Sequence, residues 1–368
     1  MKKICILSLF LLILCFSSCS TSKTYDVNDY RTTMQYHEDF KILQLTDIHL
    51  GIETDLKRQL NILNDYINET DPDLIILTGD NFMYASKGIV KNLILTLNEA
   101  CKKLTSKHPN RLTKFAVTYG NHDNQGDYPR YFINKTISKY TTTDGNEIKD
   151  HKYAAFIDYE NDNIYGLTNY FIDLVDDRNK DVNTVDVKYR IHIIDSNTYH
   201  FKGIKYGYDM IHDDQLDHAI NIYNNATADK DYIGMAFFHI PFIDFSYAQE
   251  QYKENNIGQG TTLEDVLYPY KDNNSYEKLR SANIISYVVG HCHKINTDII
   301  YNADSSNIND KAIFSFGVKA SNQLYHSDEL IGYKTITLKD NMTVEKFLTL
   351  DNINNNFKNI TDRNSKYE

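Results

Sequence analysis

Five short motifs carry side chains able to hold metal ions or move protons: Asp47-Ile48-His49, Gly79-Asp80-Asn81, Gly120-Asn121-His122-Asp123, His239, and Gly290-His291-Cys292-His293. Carboxylate and amide oxygens are hard donors and imidazole nitrogens borderline ones. Without any thiolate, that mixture suits Zn, Mn or Fe. An ionised carboxylate such as Asp80 can bridge two cations. The glycines of the second, third and fifth motifs allow the tight turns that aim such ligands inward. Each motif alone is weak evidence, because Asp-x-His is frequent and a lone His on an apolar strand is usually a hydrogen-bonded core residue. Their weight lies in the series.

Each motif directly follows an apolar run, at residues 40–45, 74–77, 115–119, 232–238 and 284–289. Short apolar runs bounded by Asp and Gly read as strands buried on both faces. Between them, residues 56–67 and 89–104 place apolar side chains at helical spacing, and 215–223 does so more briefly. Strand, helix, strand in series implies parallel pairing in a layered α/β domain, whose ligands gather at the carboxyl ends of the strands. Residues 312–318, 333–338 and 343–350 come without long helices and predict a second, antiparallel part of the sheet system. The chain of 368 residues is 24% charged and 41% apolar, an ordinary globular composition with no internal repeat. Its formal charge of −11 argues against a protein held on DNA or RNA by phosphate neutralisation, so no nucleic-acid partner is expected. It leaves room for a small phosphorylated substrate, because bound cations supply positive charge locally.

In this order the motifs resemble those of the calcineurin-like metallophosphoesterase superfamily, whose pattern is D-x-H, G-D-x-x, G-N-H-D, H and G-H-x-H. The resemblance runs from about Lys41 to His293. It implies an α/β fold, a four-layer αββα sandwich with a mixed sheet pair. It implies one metal ion on Asp47, His49, Asp80 and His293, and a second on Asp80, Asn121, His239 and His291. By the same resemblance His122 is no ligand; it faces the scissile oxygen, with Asp123 orienting or charging it. Two cations about 3.5–4 Å apart clamp the attacking and leaving oxygens of an in-line displacement, and a metal-bound water deprotonates near neutral pH to become the nucleophile. The implied activity is hydrolysis of a phosphomonoester or phosphodiester without a covalent intermediate. Alternatives are a cyclic-nucleotide phosphodiesterase or nuclease of the same superfamily, or a non-catalytic surface metal-binding module. A structural metal site would have no need of His122. Two details resemble the purple-acid-phosphatase-related branch of small fungal and plant phosphatases: Phe237-Phe238-His239-Ile240-Pro241, and the aromatic Tyr119 before Gly120. Purple acid phosphatases proper carry a Tyr iron ligand three residues after the second motif's Asp; here Met83 stands there, with Tyr84 one further on.

The N-terminus reads as an export signal, with Lys2 and Lys3 ahead of an apolar run over residues 4–16. The run is too short for a membrane span, which needs roughly 20 residues. Phe16-Ser17-Ser18-Cys19 resembles a relaxed bacterial lipobox, making Cys19 the lipidated first residue and the membrane its partner. The expected organisation is a signal peptide over 1–18, a tether over 19–39, the catalytic domain over 40–350 and a polar, fraying tail over 351–368. Eight histidines outside the motifs (His37, His108, His151, His192, His200, His212, His218 and His326) are expected in surface or core roles. Cys292 is expected to be a packed thiol pointing away from its two histidine neighbours. Residues 242–274, rich in Tyr, are either a substrate-selecting lid or a surface insert.

Overall fold

The computed structural model describes residues 27–52, 55–141, 151–156, 164–176, 186–202, 205–225 and 232–358. Cys19 and the expected signal peptide lie outside them. Two mixed sheets face one another. The smaller has the order β15 (Ile353–Phe357), β14 (Gly332–Leu338), β2 (Phe40–Leu45), β3 (Leu74–Thr78) and β4 (Lys114–Thr118). The larger runs β1 (Arg31–Gln35), β5 (Asn169–Asp176), β6 (Asp186–Ile194), β9 (Ile233–Phe237), β11 (Ile284–Val289), β13 (Ala312–Phe316), β12 (Asp298–Tyr301) and β10 (Gly258–Gln259). A separate hairpin pairs β7 (Tyr199–Lys202) with β8 (Lys205–Tyr208).

Helices α1 (Leu56–Thr70), α2 (Lys87–Lys107) and α3 (Arg130–Thr141) cover the five-stranded sheet. Helices α4 (Asp213–Asn225), α5 (Asp244–Asn255) and α6 (Ser275–Ser281) cover the eight-stranded one. The result is the expected four-layer αββα sandwich. Alternation along the strands divides the core: Met235 and Phe237 of β9 face the inter-sheet cluster, while Ala236 and Phe238 face α4–α6. Along β11, Ile285 and Val288 turn inward, whereas Ile284, Tyr287 and Val289 turn toward the helices. Strands β2, β3 and β4 pair in parallel, as do β6, β9 and β11. Their carboxyl ends therefore open on one crevice between the sheets. None of the described helices is long and apolar enough to cross a membrane.

Four expectations need correction. From Val27 onward the supposed tether belongs to the fold. Strand β1 pairs in parallel with β5, Tyr30, Met34 and Tyr36 are buried, and Arg31 meets the buried Asp173 at 2.9 Å. Polar composition misled here because an edge strand buries only part of its surface. The polar tail likewise contributes β15, antiparallel to β14, through residue 357. Residues 343–350 hold no strand but the short helix α7 (Val344–Phe347), capped by the Thr343 hydroxyl. Residues 242–274 are not one loop, since α5 buries Phe245 and Ala248 in the outer core. Strands β5 and β6 escape a search for apolar runs because they carry buried ions. Arg190 lies between the rings of Phe171 and Tyr232 and meets Asp173 at 2.7 Å.

Candidate metal centre

The five motifs meet where these strand ends converge. Asp47 and His49 follow β2, Asp80 follows β3, Asn121 and His122 follow β4, His239 follows β9, and His291 and His293 follow β11. The turns are strained: Asp47, His49, Asp80 and His291 have φ of 55°, 53°, 49° and 75°. That region disfavours non-glycine residues and persists only where surrounding contacts impose it. Here the contacts are hydrogen bonds between the motifs, donated by backbone N–H groups. Asp47 N–H donates to Gly79 O at 3.1 Å, and His49 N–H to Asp80 O at 2.9 Å. Gly290 N–H donates to His239 O at 3.2 Å, and His291 N–H to Asp47 Oδ2 at 3.1 Å.

Asp47, His49, Asp80 and His293 bring one potential ligand atom each within 4.8 Å of the others, as do Asp80, His239 and His291; all are buried. His293 Nε2 lies 3.2 Å from Asp47 Oδ1, His239 Nε2 3.1 Å from Asp80 Oδ2, and the Nε2 atoms of His49 and His293 are 3.3 Å apart. Asp80 belongs to both groups.

Most of these side chains spend one polar atom on the protein and present the other to the centre. Asp47 Oδ2 accepts from the Thr46 hydroxyl at 2.8 Å, leaving Oδ1. Asp80 Oδ1 accepts from His122 N–H at 2.7 Å, leaving Oδ2. Asn121 Nδ2 donates to the Tyr199 hydroxyl at 2.8 Å, leaving Oδ1. The Nδ1 atoms of His239 and His293 face the carbonyls of Thr78 and Tyr325 at 2.9 and 2.7 Å. A carbonyl only accepts, so Nδ1 carries hydrogen there and Nε2 faces the centre.

Five of the atoms left over are buried with no hydrogen-bond partner: Asp47 Oδ1, Asp80 Oδ2, Asn121 Oδ1, His239 Nε2 and His291 Nε2. Asp47 Oδ1 and Asp80 Oδ2 each meet only an imidazole Nε2, at 3.2 and 3.1 Å, and an unsatisfied buried group costs about 1–3 kcal/mol. Cations satisfy all of them together. The donor set therefore fits two metal ions.

Electrostatics prepare most ligands for the same state, His239 excepted. Burial alone would raise Asp47, but the imidazoles of His293 and His239 and the Lys319 ammonium hold it well below the usual carboxylate range. Asp80 is also lowered, with His239, His122 and His49 outweighing burial. Burial pushes His291 down to about 3 and lowers His49 well below its ordinary value, so both rings are neutral at pH 7. His239 goes the other way: burial would lower it, but the charges of Asp80 and Asp47 raise it to about 9, so a metal ion there displaces a proton. Ionised carboxylates and neutral imidazoles are the forms that bind metal.

Asp123 does not take the place expected of it. Its Oδ1 accepts from Phe82 N–H and its Oδ2 from Gly120 N–H, both at 2.8 Å, so it braces the Asp80 and Asn121 turns against each other. Burial and the Asp80 charge push its pKa up to about 8. Nor does Tyr84 reach the centre, being 56% exposed.

His37, His108, His212 and His326 each pair with a carboxylate elsewhere, and His192 and His218 are buried away from the site. His200 stacks on Tyr270, and the His151 side chain lies outside the description. Cys292 packs as a buried thiol in the outer core, although its turn is not extended: its N–H donates back to Gly290 O at 2.9 Å.

The structure adds Lys319, which no motif announced. It is buried, and its Nζ donates to Asp47 O at 3.0 Å, helping to hold the strained turn. Burial lowers its pKa to about 8, the charges of Asp47 and Asp80 acting the other way. The only hint in the sequence is a lysine closing the apolar run 312–318.

Gly120 marks how tightly the turns approach. A methyl there would collide with Asp80 Oδ1 and lie 2.5 Å from both Asp80 N and His239 Cδ2. Gly120→Ala should cost about 1–3 kcal/mol, the range for overpacking a close-packed site. A lower thermal midpoint together with reduced metal content on elemental analysis is the expected result; unchanged values for both would contradict this packing.

A family model described as calcineurin-like phosphoesterase matches residues 40–294. Phosphatase DCR2 of Saccharomyces cerevisiae is 23% identical over 273 residues, covering 69% of this chain and 44% of its own length. An uncharacterised protein of Schizosaccharomyces pombe is 25% identical over 294 residues, covering 74% of this chain and 48% of its own. The chain thus spans about half the length of the curated relatives it matches. Among solved structures, GAP50, described as the anchor in the inner membrane complex of Plasmodium, aligns with a TM-score of 0.43 and 15% identity. That alignment covers 88% of this chain and 90% of the other.

Proposed function

The chain belongs to the calcineurin-like phosphoesterase family, and from that premise we propose that it is a phosphatase hydrolysing small phosphate esters with two metal ions. Asp47, His49, Asp80 and His293 would hold one ion, and Asp80, Asn121, His239 and His291 the other. The observation that carries this reading is the convergence of five buried, unpartnered ligand atoms on two adjoining clusters that share Asp80. When bound, the ions supply a water of lowered pKa and positive charge opposite the phosphoryl oxygens. The chain's own contribution is orientation. Thr78, Tyr325 and Tyr199 aim His239, His293 and Asn121, and Lys319 fixes the Asp47 backbone.

His122 has a different task. Its side chain is 22% exposed where those of His49, His239 and His293 are 0–2% exposed, and its Nε2 stands 4.0 Å from Asp80 Oδ2. It lies at the open side of the centre, where an ester's leaving oxygen can reach it and take its proton. A panel of phosphomonoesters and phosphodiesters, assayed beside metal analysis of the same sample, tests the reading. Turnover that vanishes on chelation and returns with Zn, Mn or Fe is expected. Full metal content without turnover of any ester would sink it.

We propose further that the protein is exported and anchored in the membrane through lipidated Cys19, on the strength of the lipobox-like run Phe16-Ser17-Ser18-Cys19. Cys19→Ser should release the protein from membrane fractions or block its processing. An unchanged mature mass with unchanged detergent partitioning would reject the anchor.

A further inference from the structure

A continuous series of aromatic rings leads from the metal centre to solvent. Tyr199, whose hydroxyl accepts from Asn121 Nδ2 at 2.8 Å and from Gln125 Nε2 at 3.3 Å, opens the β7–β8 hairpin. Its ring stacks on Tyr206 at 5.1 Å and 22°, and on Tyr208 at 5.8 Å and 27°. Tyr208 stands edge-on to the His291 ring at 4.3 Å. Tyr206 in turn touches Phe201 at 4.9 Å. The two outermost rings are bare, with Phe201 73% and Tyr206 60% exposed. The hairpin is thus tied to two candidate ligands at one end and offers exposed ring surface at the other.

Exposed rings on a short hairpin are unfavourable unless something covers them. The inner end of this hairpin touches Asn121 and His291, and the exposed rings follow one and two ring contacts further out, at Tyr206 and Phe201. Resting on the phosphatase reading above, we propose that the β7–β8 hairpin is a specificity shelf for phosphate esters whose alcohol part carries a flat aromatic ring, such as a nucleobase or an aryl group. The ring lies against Phe201 and Tyr206 while the phosphoryl group sits between Asn121, His122 and His291. Stacking on an aromatic side chain needs only a π-face and is worth about 1–3 kcal/mol per ring, so the shelf selects a flat ring without reading its edge.

The test uses pairs of esters with the same leaving oxygen: adenosine 5′-monophosphate against ribose 5-phosphate, and benzyl phosphate against cyclohexylmethyl phosphate. The wild-type protein should favour the aromatic member of a pair in kcat/KM by about 5- to 150-fold. Preference within the first pair alone assigns the shelf to nucleobases, and preference within both assigns it to flat rings in general. Phe201→Ala combined with Tyr206→Leu should bring the ratio close to one, and Phe201→Tyr should retain it. A wild-type ratio near one in both pairs, or a ratio that the double variant leaves unchanged, overturns the shelf while turnover of ribose 5-phosphate keeps the phosphatase reading standing. Turnover of none of the four esters overturns both.

Discussion

Asp80→Ala is expected to empty both halves of the metal centre at once, with bound metal far below wild type and ester hydrolysis essentially gone. Asp80 is the one side chain common to the two clusters, and its Oδ2 stands 3.1 Å from His239 Nε2 and 3.9 Å from His49 Nε2. Removing it also strips Oδ1 from the backbone N–H of His122, which loosens the turn presenting Asn121 and His122. Four imidazoles, His49, His239, His291 and His293, would then surround the gap with a single carboxylate, Asp47, to neutralise cations among them. Bringing divalent charge into a buried site without adequate counter-charge is too costly for the remaining ligands to offset. Asn121→Ala removes a ligand confined to the second group, so metal lost from Asp80→Ala should clearly exceed that lost from Asn121→Ala. Near-normal occupancy by two ions in Asp80→Ala would refute the shared position.

His122→Ala should preserve metal content and lose rate in a manner that depends on the leaving group. General acid catalysis is typically worth about 10²–10⁴-fold and matters most when the departing oxygen is strongly basic. The loss should therefore be large on an alkyl phosphate and small on a nitrophenyl phosphate, whose leaving group departs without a proton. The ring is positioned through its own backbone N–H on Asp80 Oδ1 and by edge contact with His49, their centroids 5.1 Å apart. Neither contact requires the ring to hold a metal. Equal losses on both esters would assign His122 to electrostatic stabilisation of the phosphoryl oxygens. Loss of a metal ion would make it a ligand and leave the acid role vacant.

The identity and order of the candidate ligands, and their place just beyond five apolar strands, were legible in the sequence. These are local properties: an apolar run and the turn ending it are written within a few consecutive residues. The buried ions of Arg190 and Asp173 hid β5 and β6 from the same reading, and the polar surface of β1 hid an edge strand whose partner lies far along the chain. Asp123 shows the limit within the site itself. Its motif placed it next to His122, but its oxygens are taken by Phe82 and Gly120, and only the packing of one turn on another could decide that.

Which side chains could bind metal, and which strand ends carry them, was readable from the residues alone. Packing of distant segments was needed to bring His49 and His293, 244 residues apart, face to face at 3.3 Å, to set Lys319 on the Asp47 carbonyl, and to carry the hairpin rings to Asn121 and His291. The physical reason is that the centre lies in the crevice between two sheets. Strand propensity acts within each sheet, but the approach of one sheet to the other is set by the interlocking of side chains from both, and no single segment encodes it.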